Sequence, residues 1–323
     1  MLQRLFSIQL PEWAQASHPH VRYELGQTAI GGRRGKYVRA IGFALAVVVL
    51  YVGGYLVGTN FLQNSPGQNL TESAMAVLFW PTFVLQLVLQ FLAMVMTINT
   101  VTEQKRRLAW DNLRATEVGT GLVLRARWAA IYYRLRLLLG LVLLVRIALI
   151  LGILYDLTGF QGRYIDLLVI NITPEISPIV GALLMAFLMT AALLIPLTSI
   201  GLDAAVGLFI AVNIQQRVYN VMTQVIFLGM RIGLALALTI GATQFINGLL
   251  NVPDVNAWLL MGGYAAFGDW GLKFLHTGFY SEVWATIPYA VFFGVALLIF
   301  SLLQSILTEG ILSFTIRRAE RIG

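Results

Sequence analysis

Residues 103–136 read EQKRRLAWDNLRATEVGTGLVLRARWAAIYYRLR, and where this stretch sits decides the fold. It is basic and amphipathic, stands between two long apolar runs, and holds eight of the 22 Lys and Arg residues of a 323-residue chain. In a helix over 103–117, Leu108, Trp110 and Leu113 form an apolar side while Lys105, Arg106, Arg107, Asp111 and Arg114 stay wet. The run Glu117-Val118-Gly119-Thr120-Gly121 is expected to break that helix, because glycine admits turn conformations without steric cost. A second amphipathic stretch over 122–136 then climbs into the next apolar run, with its basic residues from Arg125 to Arg136 expected at lipid headgroups. Two short helices around a glycine break would make a compact knob that meets a partner protein.

Working outward, hydrophobic residues make up 58% of the chain and charged residues 11%, with a mean hydropathy of +0.78. A soluble domain carries about 25% charged and about 45–50% apolar residues. Apolar runs near the roughly 20 residues that cross a bilayer recur along the sequence. The expected fold is all-α and polytopic, with six transmembrane helices at about 38–61, 74–100, 130–155, 178–213, 221–249 and 285–311. These form a transmembrane domain over 38–311, flanked by an interfacial segment over 1–37 and a tail over 312–323. Pro196 and Gly201 are expected to kink the fourth span, since an interior proline removes one backbone hydrogen bond and clashes with the preceding turn. Residues 250–283 are aromatic and glycine-rich, and read as short interfacial or re-entrant helices on the outer side.

Six spans put both termini on one side of the membrane. That side collects 18 Lys and Arg residues, the other has only Arg163 and Lys273, and Arg146 and Arg231 fall within spans. The opposite side also carries seven acids. This asymmetry assigns both termini and the 103–136 stretch to the cytoplasm. Because the start MLQRLFSIQLPEWAQ is too polar for a cleaved signal peptide, the first span is expected to insert uncleaved. The net charge of +7 then belongs to a membrane surface, and no nucleic-acid partner is expected.

Few residues could carry chemistry. The absence of cysteine excludes disulfides and thiolate catalysis. No GxxxxGK[ST], HExxH or GxSxG occurs, and GGRRGK at 31–36 follows no strand pattern. His18 and His20 flank Pro19 in a polar segment, and His276 lies in the outer aromatic loop. No cofactor, metal site or enzyme activity is expected of this chain. Three ionisable residues within apolar spans are costly enough to require a role: Arg146 in the third, Asp203 in the fourth and Arg231 in the fifth. Asp203 and Arg231 lie roughly 15–18 Å from the cytoplasmic ends of their spans. One carboxylate with two candidate guanidinium partners suggests an intramembrane ion pair. Such a pair could lock helices together, or one arginine could face a central path.

The pattern ExxxxxxWDxLRATxxxTGLVLRARW resembles the cytoplasmic region of type-2 ABC transporter permeases, where an acidic residue, a basic residue and a "tLexLlaTPls" phrase follow the second span. Glu103, Arg106, Trp110, Asp111, Leu113, Arg114, Ala115 and Thr116 match it, while Glu117 stands where that family usually has proline. HPHVRYEL at 18–25 is similar to the family's opening before its first span, and AVGLFIAVNIQQRVYNVMTQ at 205–224 to its turn between spans four and five. The resemblance implies a permease half of a bacterial ABC exporter, multi-pass in the cell membrane. It would pair with a second permease copy or homologue and with separate ABC ATPase subunits. Residues 103–117 would be the cytoplasmic coupling helix between helices 2 and 3. Glu103, Arg106, Arg107, Trp110, Asp111, Leu113, Arg114, Thr116 and Glu117 would then dock in the ATPase. The alternative is a structural or assembly subunit of a larger membrane complex with no transport of its own.

Overall fold

A computed structural model describes residues 11–27, 70–106, 119–158, 178–214, 216–246, 249–250, 254–268 and 293–321, with isolated positions 41, 44, 47, 48 and 52. After a 3-10 turn at Glu12–Ala14 come the helices α1 (Pro19–Gln27), α2 (Leu70–Arg106), α3 (Gly119–Thr158) and α4 (Pro178–Asn213). They are followed by α5 (Arg217–Ile246), α6 (Asp254–Gly263), a π-helical turn at Tyr264–Gly268, and α7 (Phe293–Arg321). No strand occurs among the described residues.

Five of these helices hold a stretch long and apolar enough to cross a membrane: Leu78–Thr97, Thr120–Gly152, Ala186–Asn213, Val218–Phe245 and Gly294–Arg321. Most of the expected first span, 38–61, lies outside the described residues. Within it Ile41, Ala44, Val47, Val48 and Val52 are helical. In the 250–283 segment the described part is a ten-residue helix, α6, and the π turn, both packed against α5.

Two helix boundaries differ from expectation. The stretch 122–136, expected as a second short helix, is the first part of the third span's own helix, because α3 runs unbroken for 40 residues from Gly119. Gly119 and Gly121 fall in its first turn, where backbone amides lack helical partners in any case, so they interrupt no ladder. Gly121 also allows close approach to α7, since a Cβ there would meet Ile316 Cγ2 at 3.2 Å. At the other end of the chain, α7 continues through the expected tail as far as Arg321. No proline or glycine follows Ile311 in that helix, and Arg318 and Arg321 in its last turn suit the negative end of the helix dipole.

The bundle is built around α4. This helix packs along α7 and α2, and also against α3. Leu188, Ile195, Ile200 and Leu208 of α4 are buried, and Ala191, Ala192, Ala204, Ala205 and Ala211 between them allow neighbouring backbones to come close. Gly207 is the tightest point, because a Cβ there would run into Thr97 Oγ1 of α2 and lie 3.3 Å from the Met94 carbonyl. By contrast α5 and the outer face of α7 are largely open. Val218, Met222, Val225, Met230 and Leu234 are exposed, as are Leu302, Ile306 and Leu307. So wide an apolar surface suits hydrocarbon or a partner helix rather than water.

Candidate functional site

The polar chemistry inside the bundle gathers on α4 around Pro196. This proline lies inside a helix of 36 residues and has no amide to donate to the carbonyl of Ala192. Arg146 of α3 fills that gap, its Nη1 donating to Ala192 O at 2.7 Å. The Nε of the same side chain donates to Gln86 Oε1 of α2 at 2.8 Å. Arg146 is only 1% exposed, and Gln86 stands in a buried stripe on α2 with Thr82 and Gln90. Two further donors from α3 reach carbonyls in the next turns of α4. Tyr132 Oη donates to Leu197 O and Trp128 Nε1 to Gly201 O, both at 2.9 Å.

One turn on, Asp203 of α4 meets Arg231 of α5. Arg231 Nη1 donates to Asp203 Oδ1 in a salt bridge, with Asp203 buried and Arg231 partly exposed toward a cleft it shares with Leu234, Phe267 and Gln304. Asp203 Oδ2 is buried and accepts no hydrogen bond. Beside the same cleft, Thr198 Oγ1 of α4 donates to Gln304 Oε1 of α7 at 2.7 Å, and Gln304 Nε2 donates to Ser199 Oγ at 3.2 Å. Of the three ionisable residues in the spans, then, Asp203 and Arg231 are together, while Arg146 has a neutral amide and the carbonyl freed by Pro196. Every one of these groups would be expensive to bury unpaired in a membrane core.

A second cluster lies where the N-terminal segment meets α3. Glu24 of α1 is 4% exposed, and its Oε1 accepts from Arg127 Nε at 2.9 Å. Arg134, one heptad further along α3, donates from Nη2 to the Glu24 carbonyl at 2.8 Å and lies 3.7 Å from Oε2. Tyr133 Oη donates to Ala14 O at 2.9 Å, Val21 is fully buried, and Trp13 packs 6.5 Å from Trp128. Arg125 sits 5.8 Å above the Trp13 ring and reaches Glu309 of α7 at 2.6 Å. Arg127 is therefore a buried anchor rather than a headgroup contact, and Arg134 is likewise turned to Glu24. Sequence reasoning passed over Glu24. The available signal was the seven-residue spacing of Arg127 and Arg134, which puts two cations on one face of α3 and calls for an acid opposite.

Of the expected docking residues, Glu103 and Arg106 fall in the last turn of α2, whose backbone stays helical to Arg106. Arg107, Trp110, Asp111, Leu113, Arg114, Thr116 and Glu117 lie outside the described residues. Among the described residues no group of three or more His, Cys, Asp or Glu side chains could hold a metal ion. Comparison with protein families, with curated proteins and with solved structures finds no match.

Proposed function

We propose that this chain is the permease subunit of an ABC exporter, which moves a substrate across a cell membrane with ATP hydrolysed by a separate subunit. The observation that carries this reading is the sequence Glu103-Gln104-Lys105-Arg106-Arg107-Leu108-Ala109-Trp110-Asp111, which begins in the last turn of an overlong helix α2. Helix α2 has 37 residues, about 55 Å, against a hydrocarbon core of about 30 Å. Its apolar stretch ends at Thr97, yet the helix continues to Arg106, and α3 resumes at Gly119 with a basic first part. Residues 107–118 join the last turn of α2 to the first turn of α3, and that first turn packs against Ile316 of α7 at Gly121. A partner bound to this connection could carry force into α2 and α3, and through Arg146 into the proline turn of α4. Coupling requires that the partner's closed and open states contact the knob differently. In this reading both termini and the knob are cytoplasmic, and a second copy or homologue completes the path.

Affinity purification of the tagged chain from its host membranes tests this. An ATPase subunit should co-purify, and Trp110→Ala or Asp111→Ala should abolish ATP hydrolysis in the complex without loss of the folded permease. Repeated isolation without any ATPase would support a structural or assembly subunit instead.

A further inference from the structure

Helices α5 and α7 diverge over α4, and the space between them is an apolar groove of about 720 Å³ that opens on the side of the bundle. Val206 and Phe209 of α4 form its floor, Ile226 and Met230 of α5 one wall, and Leu307 and Phe314 of α7 the other. Gly310 also lines the α7 wall, with nothing within 4 Å of the place a Cβ would occupy. A glycine inside a helix weakens it. No neighbour needs this one, and what its missing side chain provides is room in the groove.

The two ends of the groove differ in chemistry. At the deep end Met230, which lines both spaces, joins it to the cleft beside Arg231. At the other end, one helical turn beyond Phe209, Thr223 and Phe314, the same faces of α4, α5 and α7 carry Asn213, Tyr219 and Arg318. Tyr219 and Arg318 are exposed, and Arg318 Nε donates to Asn213 Oδ1 at 3.4 Å, a long bond that leaves most of the guanidinium fork open. The last turns of α7 add exposed Arg317 and Arg321 against one acid, Glu320. From Tyr219 to Arg231 is about 18 Å along α5, close to the roughly 15 Å depth of one leaflet.

We propose that this groove holds an acidic phospholipid from the leaflet at the basic end of the bundle. An acyl chain lies between α5 and α7, and the phosphate is held by Arg318 beside Asn213 and Tyr219. The apolar lining excludes a polar occupant, and the positive rim selects an anionic head. An arginine fork matches phosphate oxygens in a way that a point charge does not. The inference is independent of the transport reading, because it concerns lipid binding by this chain alone.

Native mass spectrometry of the detergent-purified chain, titrated with dioleoylphosphatidylglycerol or dioleoylphosphatidylcholine, tests it. The acidic lipid should bind about fivefold more tightly, the effect of one arginine near an anionic head. Arg318→Gln should bring phosphatidylglycerol down to the phosphatidylcholine level, and Gly310→Trp, which fills the groove, should weaken both. If Gly310→Trp fails to fold, Gly310→Leu makes the same test with a smaller side chain. Equal affinity for the two lipids, or undiminished binding when the groove is filled, overturns the proposal. Because the chain has no cysteine, Gly310→Cys supplies a unique thiol in the groove. It should form no intermolecular disulfide under mild oxidant in membranes. A disulfide-linked dimer would mean that a second copy occupies the groove, and would overturn the lipid assignment.

Discussion

Arg146 and Pro196 are complementary across the contact of α3 and α4. The proline deprives Ala192 O of its helical donor, and the arginine supplies a charged one at 2.7 Å. Each residue alone would be a liability in a membrane helix; together they leave the backbone satisfied. Arg146→Leu should therefore destabilise the protein by about 1.5–3 kcal/mol, the worth of a hydrogen bond to a charged group. Adding Pro196→Ala gives α4 back its own amide, so the double variant should recover part of the loss. Thermal melts in detergent across the four variants give the coupling. Effects that add to within about 0.5 kcal/mol would separate the two residues.

Asp203 and Arg231 differ from that pair because both are charged. A buried ion pair contributes little net stability, but removing one partner leaves the other charge unpaired at a cost of about 3–5 kcal/mol. Asp203→Asn should thus lower the melting temperature markedly, as should Arg231→Gln. The double variant should melt above either single one, since it buries no net charge. An unchanged melt in Asp203→Asn would rule out the pair as a structural element.

The membrane frame was legible in the sequence because bilayer thickness sets the length of apolar runs, and α2, α3, α4, α5 and α7 all contain such a run. Helix ends were less legible. Lipid stops acting at the membrane surface, whereas a helix stops only where the backbone is interrupted, and nothing interrupts α2 between Thr97 and Arg106 or α7 between Ile311 and Arg321. Residue partnerships were harder still. A lone aspartate among apolar residues announces a need for a cation, but whether Arg146 or Arg231 answers depends on how α3 and α5 are set against α4. That the other arginine would serve a backbone carbonyl followed from Pro196 only once its neighbour on α3 was known. Glu24 gave no sign at all within its own polar segment, because its burial is created by α3.

Gly201 is held to glycine by the side chains that cross it. A Cβ there would collide with Tyr132 Oη and lie 3.2 Å from Trp128 Cζ2, the two groups that donate to the α4 carbonyls. Gly201→Ala should cost about 1–3 kcal/mol through overpacking, despite alanine's better helix propensity. Tyr132→Phe in the same background removes the clashing hydroxyl and should restore part of the loss. A Gly201→Ala protein that melts at or above the parent temperature would show that α3 and α4 separate there without penalty.

Glu24 is the acid that fastens the N-terminal helix to α3. Arg127 Nη1 and Nη2 are buried without hydrogen-bond acceptors, so its charge is balanced chiefly through the Nε contact to Glu24. Glu24→Gln keeps the shape of the side chain but removes that balance, and the remaining buried guanidinium makes the docked state worse by about 3–5 kcal/mol. The cheapest relief is local, since α1 can leave and let Arg127 reach water while the rest of the bundle stays folded. Hydrogen exchange should then accelerate over 19–27 in Glu24→Gln, with exchange in α4 unchanged. Arg127→Leu in the Glu24→Gln background should restore protection, because it removes the stranded charge. If exchange rises equally in α4, the segment is part of the core rather than a docked element; if it does not rise at all, Glu24 is not what holds α1 in place.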